Sequence, residues 1–229
     1  MKKKEHSLRT PVSESDLKDL QIGDLVHLSG KLMTCRDLTH KRIGEYARLG
    51  KKLPFDLKGG AIFHCGPIVQ KVGDQRRAVA AGPTSSSRFS PFVRSVLEWA
   101  GPRIIVGKGS LFPEAYKAVC DHHAVYLLSV GGCAALYGSQ ITRVSNAYWE
   151  EFGMVDTAWE FEIKDFGPLT VGIDLQGRNY MDEMKKKLGE NLSRIYDSLE
   201  IDPNFSFTWW PQVPAGTRRA TEYSTAQEE

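Results

Sequence analysis

Apolar and polar positions follow different rhythms along this chain. In "QIGDLVHLSGKLMTC" (21–35) they alternate, which predicts two short strands on either side of Ser29-Gly30. In "RDLTHKRIGEYARLG" (36–50) the apolar residues Ile43, Tyr46, Ala47 and Leu49 fall at helical spacing. That predicts a helix with a basic exposed face and Gly50 as its stop. "GAIFHCGPIV" (60–69) is a predicted strand that breaks at Gly66-Pro67, and "RAVAAGP" ends another. The first 20 residues give a lead-in strand and a short acidic turn.

From residue 92 the rhythm changes to helices alternating with strands. Phe92 to Ala100 is helical, "RIIVGKG" is an apolar strand, "PEAYKAVCDHH" is a helix opened by Pro113, "AVYLLSVGG" is a second apolar strand and "CAALYGSQI" is a helix. Such alternation predicts a parallel sheet covered by helices. "AWEFEIKDF" and "LTVGIDLQG" read as two strands joined by a turn at Gly167-Pro168, and "YMDEMKKKLGENLSRIYDSL" reads as an amphipathic helix. The fold class is therefore α/β, with a strand-rich first third followed by alternating strands and helices. One domain is expected over 1–201, and 202–229, with Trp209 and Trp210, is expected to be a tail.

Composition narrows the function. The chain has 229 residues, enough for a sizeable core, and is 41% hydrophobic and 25% charged, as soluble proteins are. A net charge of +2 gives no argument for nucleic acid or a membrane as partner. No apolar stretch follows the basic start, so no secretory signal is expected, and no run approaches the roughly 20 apolar residues of a membrane helix. A cytoplasmic protein is expected. Cys35, Cys65, Cys120 and Cys133 have no metal-ligand spacing and are expected to be scattered, reduced thiols, with no metal held by this chain alone.

The candidate chemistry sits where apolar runs end. "AAGPTSSSR", "IIVGKGS" and "LLSVGGCAAL" each pass from an apolar run through glycine into small or charged residues. In open α/β sheets ligands collect at such strand ends, and glycine lets backbone amides approach them. Any one of these loops could be an ordinary tight turn; the cations Arg88 and Lys108 in two of them argue for a site. A nucleotide phosphate loop is not matched, because Pro102 stands at the first glycine position and Gly109 follows Lys108 where a hydroxyl is needed. "TCRDLTHKR" (34–42) adds Arg36 and His40, four apart on one helix face; the plain alternative is a capping Asp37 at a helix start with a solvated basic face. His64, His122 and His123 read as structural.

Taken in order, "SGKLMTCRDLTHKRI", "LPFDLKGGAIFHCGPIV", "AGPTSSSR", "VGKGS", "AVYLLSVGGCAAL" and "FGMVDTAWEFEIKDFGPLTVGIDLQG" resemble the β subunit of iron–sulfur hydro-lyases, the class I fumarases and L-tartrate dehydratases. The resemblance covers roughly residues 20–180. It implies a swivelling β/β/α-type domain. It also implies an α partner, in an α2β2 assembly, whose cysteines hold a [4Fe-4S] cluster that this chain does not hold. Arg36, Arg88 and Lys108 match family residues that bind the dicarboxylate. Thr84 matches the threonine that forms part of the base. Ser85 stands in the pocket where a second threonine is common, and His40 matches the histidine of the family's R-D-x-x-H as a further catalytic candidate. Phe89 and Ser110 depart from the methionine and glycine common at those positions. The motifs lean to the tartrate branch; fumarate hydratase is the alternative, and a non-catalytic binding or assembly module is the alternative of another class.

The chemistry wants these residue types. Two carboxylates call for guanidinium forks and a point charge, which Arg36, Arg88 and Lys108 offer. Abstracting a proton beside a carboxylate builds charge that nearby cations stabilise. A threonine hydroxyl is a poor base until a neighbour activates it. The resemblance places that neighbour on the α partner, so this chain is expected to be inactive alone.

Overall fold

The computed structural model describes residues 3–200. The tail expected at 202–229, with its tryptophans, lies outside the described residues. The chain divides into two units, Met1–Glu183 and Met184–Glu229. Of the second, the described part continues helix α6 (Tyr180–Ser198), on which Leu188, Leu192 and Ile195 recur at helical spacing.

The first unit is built on a seven-stranded sheet in the order β1-β2-β3-β6-β7-β9-β8, where β1 is Glu5–Arg9, β2 Leu25–Thr34, β3 Ala61–Phe63, β6 Ile104–Gly107, β7 Val125–Leu128, β8 Ile141–Tyr148 and β9 Ala158–Ile173. β2 also pairs with β9, so β2, β3, β6, β7 and β9 close into a barrel-like ring. A separate hairpin, β4 (Ile68–Val72) with β5 (Gln75–Ala80), completes the strand-rich part. Three further helices matter below: α2 (Asp37–Arg48), α3 (Ser90–Ala100) and α4 (Pro113–Asp121).

The apolar runs of β3, β6 and β7 are continuous because both faces are buried. Ala61, Phe63, Ile104, Val106, Val125 and Leu127 pack with Leu28, Phe161, Phe166 and Val171. The alternate residues Ile62, Ile105 and Tyr126 pack with Val93, Val96 and Leu97 of α3 and Ala115, Ala118 and Val119 of α4. Phe63 meets Tyr137 and Phe166 edge-on, at 6.1 and 5.4 Å between ring centroids.

Three expectations from the sequence change. The sheet is mixed rather than parallel: β1, β2, β3, β6 and β7 run parallel, whereas β9 is antiparallel to β2, β7 and β8. The stretch 21–35 is not two strands but one ten-residue strand. β2 runs straight through Ser29-Gly30, with Gly30 at φ 102°, and the extra residue of the register shift there is taken up by β9 between Phe166 and Ile163. Likewise Gly167-Pro168 does not turn the chain back. β9 runs unbroken for 16 residues and takes up extra residues opposite β2, between the pairs Val26↔Leu169 and Leu28↔Phe166. β8 is a strand that the sequence analysis did not identify; a register shift between Ile141 and Arg143 brings Ile141 and Val144, three apart, against the same core cluster.

The stretch around Gly30 ties in the lead-in segment. Thr10 Oγ1 donates to the Lys31 carbonyl at 2.6 Å and accepts from Lys31 N–H at 2.8 Å. A Cβ at Gly30 would come within 2.6 Å of the Thr10 carbonyl oxygen, and positive φ disfavours any side chain there. Gly30→Ala is therefore expected to lower unfolding free energy by about 2 kcal/mol, read as a lower urea midpoint at unchanged slope; an unchanged midpoint would contradict the close contact.

Candidate functional site

Parallel register brings four strand ends level. Thr34 lies beside Phe63, Phe63 beside Val106 and Val106 beside Leu127. The residues that follow, Cys35-Arg36, His64-Cys65, Lys108 and Ser129, therefore leave the sheet at one rim. The loop after β5 crosses this rim. Thr84 N–H donates to the His64 carbonyl and Ser86 N–H to the Lys108 carbonyl, both at 2.9 Å, and Ser85 pairs with Lys108 like a short parallel strand. The chain then turns through a 3₁₀ segment, Ser86–Phe89, directly into α3.

All six candidate residues gather at or behind this rim. Arg36 is the N-cap residue of α2, with Asp37 first in the helix. The Asp37 carboxylate does not cap that helix; Asp156 does, accepting from Leu38 N–H at 3.1 Å. Instead Asp37 lies between two arginines. Arg88 Nη2 donates to both of its carboxylate oxygens, at 3.0 and 2.9 Å, and Arg36 Nη2 is 3.5 Å away. Among the described residues, Nε and Nη1 of Arg88 make no hydrogen bond, and Arg36 Nε is buried without a partner. The Arg88 side chain is 49% exposed, so its unused donors reach open space. Lys108 makes no ion pair among the described residues, and its stem lies over Gly131, where an added Cβ would sit 3.2 Å from Cδ. Thr84 is half-buried and Ser85 exposed, and neither hydroxyl has a protein partner among the described residues.

Beneath the cations lies a wall that is apolar or neutral. His40 is fully buried, with Nδ1 2.7 Å from the Arg36 carbonyl and 3.1 Å from Cys35 Sγ. Burial pushes its imidazole down to about 4, from an ordinary 6.5, so it is uncharged at neutral pH. His64 is likewise buried, which holds its imidazole well below the usual range. His122 and His123 lie elsewhere, near Glu98 and Glu14 at the end of α4. Asp37, His64 and Ser86 belong to this constellation, yet sequence reasoning did not single them out as its parts. Their signal was position: each adjoins a candidate cation or its loop.

The cysteines do not fit an iron–sulfur cluster. Cys35 and Cys65 are buried in separate clusters, and burial pushes both thiols up, away from the thiolate form a metal needs. Cys120 and Cys133 lie on α4 and at the start of the helix Ala134–Ser139. Among the described residues no group of three His, Cys, Asp or Glu side chains could hold a metal ion. No described helix is long and apolar enough to cross a membrane.

Two guanidiniums, an ammonium and the Thr84 hydroxyl thus sit at one rim, and among the described residues no group is hydrogen-bonded to that hydroxyl. A family model described as "Fumarase C-terminus" matches residues 1–184, and the chain belongs to that family. It is 39% identical over 192 residues to the L(+)-tartrate dehydratase subunit beta of Escherichia coli (strain K12), covering 84% of this chain and 94% of that one. It is 40% identical over 185 residues to the "Putative L(+)-tartrate dehydratase subunit beta" of Methanocaldococcus jannaschii, covering 80% and 95%. To the "Putative fumarate hydratase class I" of Geobacillus stearothermophilus it is 33% identical over 194 residues, 84% of this chain but 37% of that one.

Two expectations follow. A histidine whose folded value is lowered binds its proton less readily than in the unfolded chain. Its stabilising contribution is complete above about pH 6.5 and falls away as pH drops toward 4. Between about pH 7 and about pH 5, His40 should account for roughly 2 kcal/mol of lost stability. Urea midpoints at both pH values should show a smaller drop for His40→Asn; an equal drop would contradict a buried neutral His40. Second, a Cβ at Gly66 would lie 2.6 Å from Arg36 Nη1 and 3.1 Å from Val155 Cβ, so Gly66→Ala must displace the guanidinium. Because that end is flexible, the variant should fold normally and bind a dicarboxylate substrate about tenfold more weakly. Unaltered affinity would mean that Arg36 does not touch the ligand.

Proposed function

We propose that this chain is the β subunit of a hydro-lyase that reversibly removes water from a hydroxy-dicarboxylate, with L(+)-tartrate to oxaloacetate as the preferred reaction. The observation that carries the proposal is the Asp37 carboxylate held by Arg88 and approached by Arg36: the rim is built to accept carboxylate oxygens. Asp37 takes up only part of the donors of Arg88 and Arg36, and Lys108 adds a third cation, which suits a ligand with two carboxylates. The names of the relatives support the substrate class, and two of the three point to tartrate. The closed mixed sheet is read here as the swivelling β/β/α-type architecture, in a cytoplasmic enzyme.

In this reading Arg36 and Arg88 hold carboxylates through the donors Asp37 leaves unused, and Lys108 adds a point charge from across the rim. One carboxylate lies beside the carbon that loses its proton. As that C–H bond breaks, negative charge spreads onto this carboxylate, and the fixed cations stabilise it as it develops. Thr84 faces the proton and Ser85 lines the pocket. The Thr84 oxygen, freed of its own proton by the partner's activating group, takes that proton; the hydroxyl leaves the adjacent carbon as hydroxide, the two together being the water removed, and the enol so formed from tartrate becomes oxaloacetate by moving a proton from oxygen to carbon. His40 acts as a support for the Arg36 backbone, because its buried imidazole is spent on that carbonyl.

The Thr84 hydroxyl has no neighbour among the described residues that could activate it, and this chain's cysteines do not suit a cluster. The proposal therefore assigns the activating group and the [4Fe-4S] cluster to an α subunit, in an α2β2 enzyme, and makes this chain inactive alone. A second reading, fumarate hydratase, is favoured by the similarity to the class I protein, of which this chain spans only a part.

Arg88→Ala tests the site. In the assembled, cluster-loaded enzyme it should lower turnover by at least about a thousandfold while leaving assembly intact on size-exclusion chromatography. Turnover near that of the parent would remove Arg88 from the site.

A further inference from the structure

Two imidazoles meet behind the rim. The ring centroids of His40 and His64 are 5.2 Å apart; Phe89 stacks on His40 at 5.0 Å and leans on His64 at 4.7 Å. Both histidines are completely buried. Each turns Nδ1 toward a different cation-bearing loop. His40 Nδ1 meets the Arg36 carbonyl at 2.7 Å, and His64 Nδ1 meets Ser86 Oγ at 2.9 Å. Ser86 is in turn locked to Lys108 twice: Lys108 N–H donates to Ser86 Oγ at 3.0 Å, and Ser86 N–H donates to the Lys108 carbonyl at 2.9 Å.

The partners fix one proton and narrow the place of the other. A carbonyl only accepts, so His40 carries its proton on Nδ1. Ser86 Oγ accepts from the Lys108 amide and has one proton to give, for which His64 Nδ1 and the Tyr126 oxygen are the two acceptors at hand. The neighbouring Tyr126 hydroxyl donates to the Gly109 carbonyl at 2.9 Å. Donation to His64 would put that ring's proton on Nε2, which is buried without a partner among the described residues. Space is tight as well as polar: a Cβ on Gly107 would fall 2.0 Å from Ser86 Oγ, so the strand end accepts this serine only against glycine.

We propose that His64, acting through Ser86, is a positioning residue for Lys108, as His40 is for Arg36, so that two imidazoles protonated on opposite nitrogens fix the spacing of the two cations. The functional consequence rests on the reading of the rim as a dicarboxylate site; the geometry does not. A ligand with two carboxylates needs both anchors at one separation, and a lysine free to drift loses one of them. Ser86 is thus not one more hydroxyl of a polar loop but the joint between His64 and the Lys108 backbone.

The test uses the full chain, alone for spectroscopy and with its α partner for kinetics. In the ¹⁵N-labelled chain, His64 should show a proton on Nε2 and His40 on Nδ1. The Lys108 amide resonance should move in Ser86→Ala and in His64→Leu, and return in His64→Asn, whose amide can take the Nδ1 position. In the assembled enzyme Ser86→Ala and His64→Leu should each raise KM for the preferred dicarboxylate about tenfold with kcat changed less than about threefold. His64→Asn should restore KM to within about threefold, and the Ser86→Ala/His64→Leu double variant should be no worse than either single one, because both cut one path. A filler role alone would make Leu as good as Asn. Equal KM for those two variants, an unmoved Lys108 amide, or a proton on His64 Nδ1 would each overturn the proposal. If the parent enzyme turns over no dicarboxylate, the functional reading fails by itself, and the spectra still decide the positioning claim.

Discussion

The site depends on one geometric constraint: four parallel strands stop at the same level. Register alone sets Thr34, Phe63, Val106 and Leu127 side by side, and the next residue or two of each strand must then emerge at one rim. Strand ends are where backbone groups lose their sheet partners. The loop after β5 supplies replacements, giving the N–H groups of Thr84 and Ser86 to the carbonyls of His64 and Lys108. A segment that satisfies the sheet's unfinished backbone is also the segment that carries Thr84, Ser85 and Arg88. Fold and site are joined by the same hydrogen bonds.

Electrostatics explains why the wall behind the rim is neutral. Arg36, Arg88 and Lys108 bring like charges toward one another, and Asp37 offsets part of that repulsion while holding Arg88 in place. A protonated imidazole behind them would add a further cation without solvent to screen it. Burial keeps His40 and His64 uncharged instead, so their nitrogens serve as hydrogen-bonding parts. Arg88, half-exposed, then keeps donors unspent on the open side, while the unspent Nε of Arg36 is buried.

Much of this was legible in the sequence, for reasons that differ by element. The 3.6-residue spacing of Ile43, Tyr46 and Ala47 marks α2 because one face of that helix is buried. The apolar runs of β6 and β7 are legible because both faces of those strands are covered. Lys108 stood out because a charge at the end of an apolar run has no packing role there, Arg88 because it closes a loop of hydroxyls, and Arg36 only through the resemblance. Bulges were not legible. Ser29-Gly30 and Gly167-Pro168 carry turn residues, yet partners on both sides hold β2 and β9 straight through them, and only tertiary pairing decides between a bulge and a turn. β8 was missed because its half-buried pattern is broken by register shifts against β9. Asp37 reads as a helix cap until Asp156, over a hundred residues away, takes that role. His64 and Ser86 are separated by 22 residues, and no local pattern links them.

The central claim is that this chain carries the cationic half of a dicarboxylate site that another subunit completes. The most direct measurement is an anaerobic assay of this chain co-expressed with its α-like partner and loaded with the cluster, on L-tartrate and malate side by side, with each chain alone as a control. The account requires turnover only by the pair, with L-tartrate preferred. Turnover by this chain alone, or none by the loaded pair on either substrate, would contradict it.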